Sequence, residues 1–192
     1  MGSEREDLRP SRWKVRERLV DDSRMVRLSI ADVVLPDGAR FEQYVMRMPR
    51  AATVVVVNER DEVLMLRRHR FVVDRWVWEL PGGYVEDRED GAATAAREVE
   101  EETGWRPLAL EPVLAFQPLI GSVDSRNELF VAHGAERAGT AIDVNEAERV
   151  AWIPVDALMG LVRSGEIAGS ATVIGALWLL GLRRSGVGGG PA

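Results

Sequence analysis

Hydrophobic and polar positions along this chain follow two periods, and the switches between them predict the elements. Met25 to Val34 alternates loosely and ends in Leu35-Pro36-Asp37-Gly38, where proline and glycine supply the backbone angles of a turn. Phe41 to Met48 returns as a second strand, so the pair reads as a hairpin within a small N-terminal sheet. Ala52 to Val57 is unbroken, mostly β-branched and apolar, which predicts a strand buried on both faces. Asn58-Glu59-Arg60-Asp61 turns the chain and Glu62 to Arg67 pairs back. Trp76 to Leu80 is a short strand that stops at Pro81-Gly82-Gly83. The period then changes. Asp90 to Thr103 is the clearest helix, with Asp90 as its cap, alanines in its first half and Gly104 at the left-handed position after its end. Leu108 to Phe116, Glu128 to Ala132 and Arg149 to Ile153 are further strands. Pro154 opens a helix that ends near Gly165, and Ser170 caps a last one through Leu182.

Strands and helices mix without strict βαβ alternation, so the fold class is α+β. The polar residues 1–11 and the tail 185–192, which reads SGVGGGPA, are expected to be mobile ends. Residues 12–50 form an N-terminal β subdomain and residues 51–184 the main domain. The longest apolar stretch, Val173 to Leu182, is about half of the ~20 residues a membrane span needs, and reads as a buried helix.

Composition narrows the chemistry. The 192 residues include no cysteine, which excludes disulfides, thiolate nucleophiles and cysteine-based metal sites. The net charge of −6 comes without a basic face, so nucleic acid is not an expected partner, and neither is a membrane. A cytoplasmic setting fits the lack of cysteine and of a signal-peptide core. An acidic protein can still bind phosphates where metal ions reverse the local sign.

The stretch from Gly83 to Trp105, GYVEDREDGAATAAREVEEETGW, concentrates carboxylates. At ~100° per residue, Glu98, Glu101 and Glu102 share one stripe of the helix, and Glu100 points away. Three like charges on one stripe repel, and no lysine interleaves them. A solvated acidic face would account for this. So would a hard divalent cation, which takes oxygen ligands. Counting from Gly83 decides between them. Five residues lead to Glu89 and seven more to Arg97-Glu98; Val99, Glu100, Glu101, Glu102, Thr103, Gly104 and Trp105 follow. This matches every position of the Nudix box, Gly-x5-Glu-x7-Arg-Glu-U-x-Glu-Glu-x-Gly-U, where U is bulky and apolar. The chain is therefore identified as a member of the Nudix hydrolases.

That resemblance implies an α/β/α sandwich with a mixed sheet, alongside the small N-terminal antiparallel sheet. It also implies roles. Glu98, Glu101 and Glu102 resemble the Mg²⁺ ligands, with Mn²⁺ able to substitute, and the Gly82 carbonyl resembles a further ligand. Arg97 and Glu89 resemble the pair that orients the metal-binding glutamates, as a planar guanidinium can. Gly83 and Gly104 allow the tight entry and exit of the helix. The implied reaction is attack of a metal-activated water on one phosphorus of a diphosphate.

More of the chain resembles the ADP-ribose pyrophosphatase branch, from VLMLRRHRF and WVWELPGG before the box to GEIAGSATVIGALWLL near the end. This implies conversion of ADP-ribose to AMP and ribose 5-phosphate by a homodimer joined through the N-terminal sheet. Arg70 falls where the branch places an arginine on the substrate, although a surface charge at a strand end reads equally simply. Trp13 stands where an aromatic residue stacks on the base, or else anchors the N-terminal arm by packing. Glu146, eight residues before Pro154, matches the branch's candidate general base; Glu148 is the near alternative, and both also read as ordinary loop glutamates. His69 and His133 have no spacing partner for metal or triad. One departure stands out: Pro118 comes 13 residues after Trp105 and is followed by Leu119-Ile120-Gly121 rather than the usual turn. Another nucleotide sugar therefore stays open as substrate. A ligand sensor without catalysis is the rival from a different class, against which the intact box speaks.

Overall fold

The computed structural model describes residues 13–139 and 148–184, and within them two compact units. The predicted mobile ends, 1–11 and 185–192, and the loop glutamate Glu146 lie outside the described residues.

The first unit comprises the N-terminal residues through Met48 together with Leu119–Asp124. Its strands are β1 (Lys14–Asp21), β2 (Arg27–Val34) and β3 (Arg40–Arg47), joined antiparallel in that order. The short β10 (Val123–Asp124) adds to β3 in parallel. The predicted hairpin is β2–β3, closed by Leu35–Gly38, where the Gly38 N–H reaches the Leu35 carbonyl at 3.0 Å. β1 was not foreseen, and the reason is its pattern: every one of its residues is exposed, so no buried face marks it. β10 is too short, at two residues, to show any period.

The second unit holds a seven-stranded mixed sheet. Its spine runs β13 (Arg149–Pro154), β5 (Glu62–Arg70), β4 (Ala51–Val57), β11 (Asn127–His133) and β9 (Leu110–Phe116). β6 (Arg75–Glu79) pairs with β5, and β7 (Gly82–Tyr84) pairs with β4. A separate two-stranded sheet joins β8 (Trp105–Pro107) to β12 (Ala135–Arg137). β4 runs parallel to β11 and antiparallel to β5. Its alternate side chains enter two cores, which is why it is apolar throughout. Val55 and Val57 pack with Leu158, Ile167, Ala176 and Leu179 of the C-terminal helical region, whose helices are α2 (Val155–Ser164) and α3 (Ser170–Arg184). Ala52, Val54 and Val56 pack with Ala95 and Val99 of α1 (Gly91–Thr103). The result is the α/β/α sandwich. Val173 to Leu182 lies within α3, and among the described residues no helix is long and apolar enough to cross a membrane.

The helix ends follow the sequence. The Asp90 side chain accepts the Ala93 N–H at 2.7 Å, and Gly104 takes the left-handed conformation at φ 70°. Both satisfy backbone groups that the helix leaves orphaned.

The feature that positions the site is a split in the sheet. β4 and β5 are in register at one pair only, Val57 with Val63. Toward the other end of β4 its partner is β7 instead, with Thr53 opposite Gly82 and Ala52 opposite Gly83. The approach there requires glycine: a Cβ on Gly82 would stand 2.3 Å from the Ala52 carbonyl oxygen.

Candidate functional site

α1 lays its acidic stripe over this split. Glu102 is almost fully buried, with 4% of its surface exposed. Its Oε2 accepts the Gly82 N–H at 2.9 Å, and its Oε1 accepts Nη2 of Arg68 at 2.5 Å. Burial pushes the Glu102 carboxyl upward from the ordinary range, and the Arg68 guanidinium opposes that shift. Gly83 leaves room for the next carboxylate, because a Cβ there would lie 2.4 Å from Oε1 of Glu98.

Arg97 organises the outer part of the stripe. Its Nη1 donates to Glu98 at 3.0 Å and to Glu101 at 2.9 Å. Its Nε and Nη2 donate to the two oxygens of Glu89 at 3.3 and 3.2 Å. Glu89 in turn accepts the Thr94 hydroxyl at 2.7 Å. The Arg97 guanidinium holds the Glu89 carboxyl below its usual range, and the Thr94 hydroxyl adds to this. Arg97 therefore spans the glutamates that resemblance assigned to it. Glu100 faces away and pairs with Arg106 at 2.8 Å.

Residues that the sequence reading did not single out complete the cluster. Even-numbered residues of β5 face α1, since Leu64 belongs to the core on that side. Arg68 and Arg70 therefore project toward the helix side. Glu79 stands diagonally across the β5–β6 pair from Arg68, whose direct partner is Val77. Nε and Nη2 of Arg70 fork onto Glu79 at 2.9 and 2.5 Å, and Nε of Arg68 is 3.7 Å from the same carboxylate. The period-two alternation of RRHR was the available signal for Arg68; for Glu79 it was the strand pairing.

The donor chemistry suits a hard divalent cation. Five carboxylates (Glu79, Glu89, Glu98, Glu101, Glu102) face three guanidiniums (Arg68, Arg70, Arg97), an excess of two negative charges if all are ionised. Glu98, Glu101 and Glu102 supply the oxygens that Mg²⁺ prefers. Among the described residues, however, no three carboxylates stand together as a ready cage, because the arginines hold them. Gly82 meets the cluster through its N–H on Glu102.

The other candidates have their own contacts. Trp13 belongs to the N-terminal unit, where it packs edge-on against Phe41 with ring centroids 6.3 Å apart. Glu148 lies 3.6 Å from Nη1 of Arg67, and its N–H donates to the Arg67 carbonyl. His69 contacts Asp74 at 3.0 Å and tilts against Trp76, and His133 ends β11.

Comparison with known proteins agrees with this geometry. Residues 47–172 match the model of the NUDIX domain. A CMP-5′-(N-acetyl-N-hydroxy-3-aminopropyl)phosphonate hydrolase of Streptomyces rubellomurinus is 50% identical over 89% of this chain and 84% of its own length. An ADP-ribose pyrophosphatase of Bacillus subtilis is 28% identical over 78% of this chain and 82% of its own. A crystal structure of an ADP compounds hydrolase shares the fold, with a TM-score of 0.76 at 20% identity over 92% of this chain and 96% of that one.

The stripe yields a direct contrast between neighbours. Glu102→Gln keeps size but loses charge, and should lower kcat by on the order of 10³ or more, as loss of a metal-centred electrostatic contribution should. Glu100→Gln, at a side chain that faces away and pairs with Arg106, should change kcat by less than about twofold. Equal losses in steady-state assays would show that the stripe is not the working face.

Proposed function

The chain belongs to the NUDIX domain family, and from that premise we propose that it hydrolyses the phosphoanhydride joining a nucleoside 5′-monophosphate to a second phosphorus acid. The carrying observation is the carboxylate stripe of Glu98, Glu101 and the buried Glu102, held by Arg97 and Arg68 over the β4–β7 glycines. Glu98, Glu101 and Glu102 would hold Mg²⁺ or Mn²⁺. When bound, the ion supplies a water of lowered pKa and neutralises charge on the phosphate oxygens. Arg97, itself anchored by Glu89, holds the Glu98 and Glu101 carboxylates together. Arg70, half exposed on Glu79, can offer its outer face to a substrate phosphate. A water oxygen bonds to phosphorus as the bridging P–O bond breaks, and the products are a nucleoside monophosphate and the second acid.

The identity of that second acid separates two substrates. The relative at 50% identity favours a CMP-linked phosphonate. ADP-ribose is the second reading, supported by the ADP-ribose pyrophosphatase at 28% identity and by Arg70 at the position that branch assigns to substrate. With Mg²⁺ and a panel of CMP-phosphonates, ADP-ribose and other nucleotide sugars, the expected products are CMP and free phosphonate, formed faster than AMP from ADP-ribose. Higher kcat/KM for ADP-ribose would reverse the order of the two readings. Full turnover of any of them in excess chelator would remove the metal-dependent reading altogether.

Glu146 enters as the proposed general base, on its offset from Pro154 alone. Glu146→Gln should cost about 10²–10⁴ in kcat with little change in KM, because a base acts on the attacking water and not on bound substrate. If Glu148→Gln falls instead, the role moves two residues along, to the carboxylate that stands 3.6 Å from Arg67. Normal rates in both would leave the nucleophile to the ion alone.

A homodimer through the N-terminal sheet belongs to the same proposal. Trp13, Val15, Leu19 and Phe41 share one face of that sheet and are 39–51% exposed, or 56% for Val15. Exposed apolar side chains that share a face in this way suit an association site. Sedimentation at micromolar concentration should give a dimer that Leu19→Glu splits; a monomeric wild type would rule the dimer out.

A further inference from the structure

Arg68 differs from the other arginines around the stripe in being poorly satisfied where it stands. Its side chain is only 14% exposed. One nitrogen, Nη2, is committed to Glu102, whereas Nε is buried and has no hydrogen-bond partner among the described residues. A buried N–H without an acceptor is costly, so an arrangement that satisfied it would be favoured if Glu102 could be released. The acceptor for that arrangement is already present: Oε2 of Glu79 lies 3.7 Å from Nε, under 1 Å beyond a good hydrogen bond. Glu79 is itself mostly buried and, among the described residues, accepts side-chain hydrogen bonds from Arg70 alone.

The same reasoning applies on the Glu102 side. Its Oε2 is fixed by the Gly82 backbone, which cannot move without breaking the β4–β7 pairing. Its Oε1 is held by a side chain, which can. The oxygen most open to exchange is thus the one that Arg68 covers. Two cations cannot share it at short range, since their repulsion in a partly buried setting exceeds thermal energy several-fold.

We propose that Arg68 is a built-in competitor for the divalent cation: it covers the Glu102 oxygen that the cation must take, and Glu79 receives its guanidinium on displacement. This rests on the hydrolase reading above and adds to it a residue that sets metal affinity. Arg68 is a positioning residue, acting through Glu102 and not on the substrate. Its exchange between two carboxylates leaves Glu102 paired with a cation in either condition, so the protein would tolerate a low cation concentration without an uncompensated charge on that buried carboxylate.

The test is Mn²⁺ binding alone, read from the free-ion electron paramagnetic resonance signal as Mn²⁺ is titrated into full-length, chelator-stripped protein. Arg68→Gln removes the competitor and should tighten the dissociation constant by about tenfold, while the chelator-stripped variant melts at lower temperature than wild type and regains more on adding Mg²⁺. Glu79→Gln removes the receiving carboxylate and should weaken Mn²⁺ binding several-fold. Opposite directions for the two variants are the signature, since a merely structural Arg68 would weaken binding in both. Weaker or unchanged binding by a folded Arg68→Gln overturns the proposal. If Arg68→Gln does not fold, Arg68→Lys replaces it: lysine keeps one charge without the fork that bridges both carboxylates, so binding should still tighten, and unchanged or weaker binding overturns the proposal equally. Should wild type bind no Mn²⁺ at all, the metal-dependent hydrolase reading falls with it; if wild type binds and Arg68→Gln is no tighter, only the competitor falls.

Discussion

The site depends on burying one carboxylate where the sheet divides. β4 gives up β5 after a single registered pair and takes β7 as its partner, which opens a place for the Glu102 side chain under α1. Removing a charge from water costs several kcal/mol unless it is paired and hydrogen-bonded. The backbone amide of Gly82 and the guanidinium of Arg68 provide both kinds of compensation. Everything else at the site follows outward from that arrangement. Gly82 must lack a side chain to reach Ala52, Gly83 must lack one to admit Glu98, and Arg97 must gather the carboxylates that remain nearer to solvent.

Much of this was legible in the sequence because the box is local. Its residues run from β7 through one turn and one helix to the start of β8, and across the helix counting along the chain is the same as placing them in space. Asp90 and Gly104 cap the helix that counting predicts, and Glu100 points away as its angle requires. The apolar run Ala52–Val57 likewise announced a strand with a core on each side. What was not legible is non-local or aperiodic. Arg68 reaches the site because one face of β5 lies toward α1, Glu79 through the pairing of β5 with β6, and no spacing rule encodes which elements pack or pair. β1 hid because it has no buried face, β7 because two of its three residues are glycine, and β8, β10 and β12 because two or three residues cannot display a period.

Substrate choice lies at the boundary of what such reasoning reaches. On the proposed reading the carboxylate stripe meets phosphate charge through a cation, and every diphosphate offers the same charge. Selectivity between a phosphonate and a ribose phosphate must come from groups outside the stripe. Arg70 is the candidate proposed above, since its fork on Glu79 leaves it half exposed and oriented. The sequence between Pro118 and Glu128 departs from the ADP-ribose branch, and it is divided between the two units, with Leu119–Asp124 in the first and the rest in the second.

The balance of charge connects stability to function here. Five carboxylates against three guanidiniums leave two negative charges in excess, which suits a divalent cation and burdens the protein without one. A fold selected only for stability would replace Glu102 by an apolar residue of similar size, because a buried ion pair often stabilises less than good hydrophobic packing. Retaining the carboxylate therefore costs stability at a functional site, as such sites commonly do. The arginines limit that cost. Each sits where one carboxylate would otherwise be unpaired, and two of them, Arg68 and Arg97, contact more than one acid. A guanidinium that touches two carboxylates can shift its weight between them at little expense, which keeps the stripe ordered and still lets its oxygens be taken by a stronger cation.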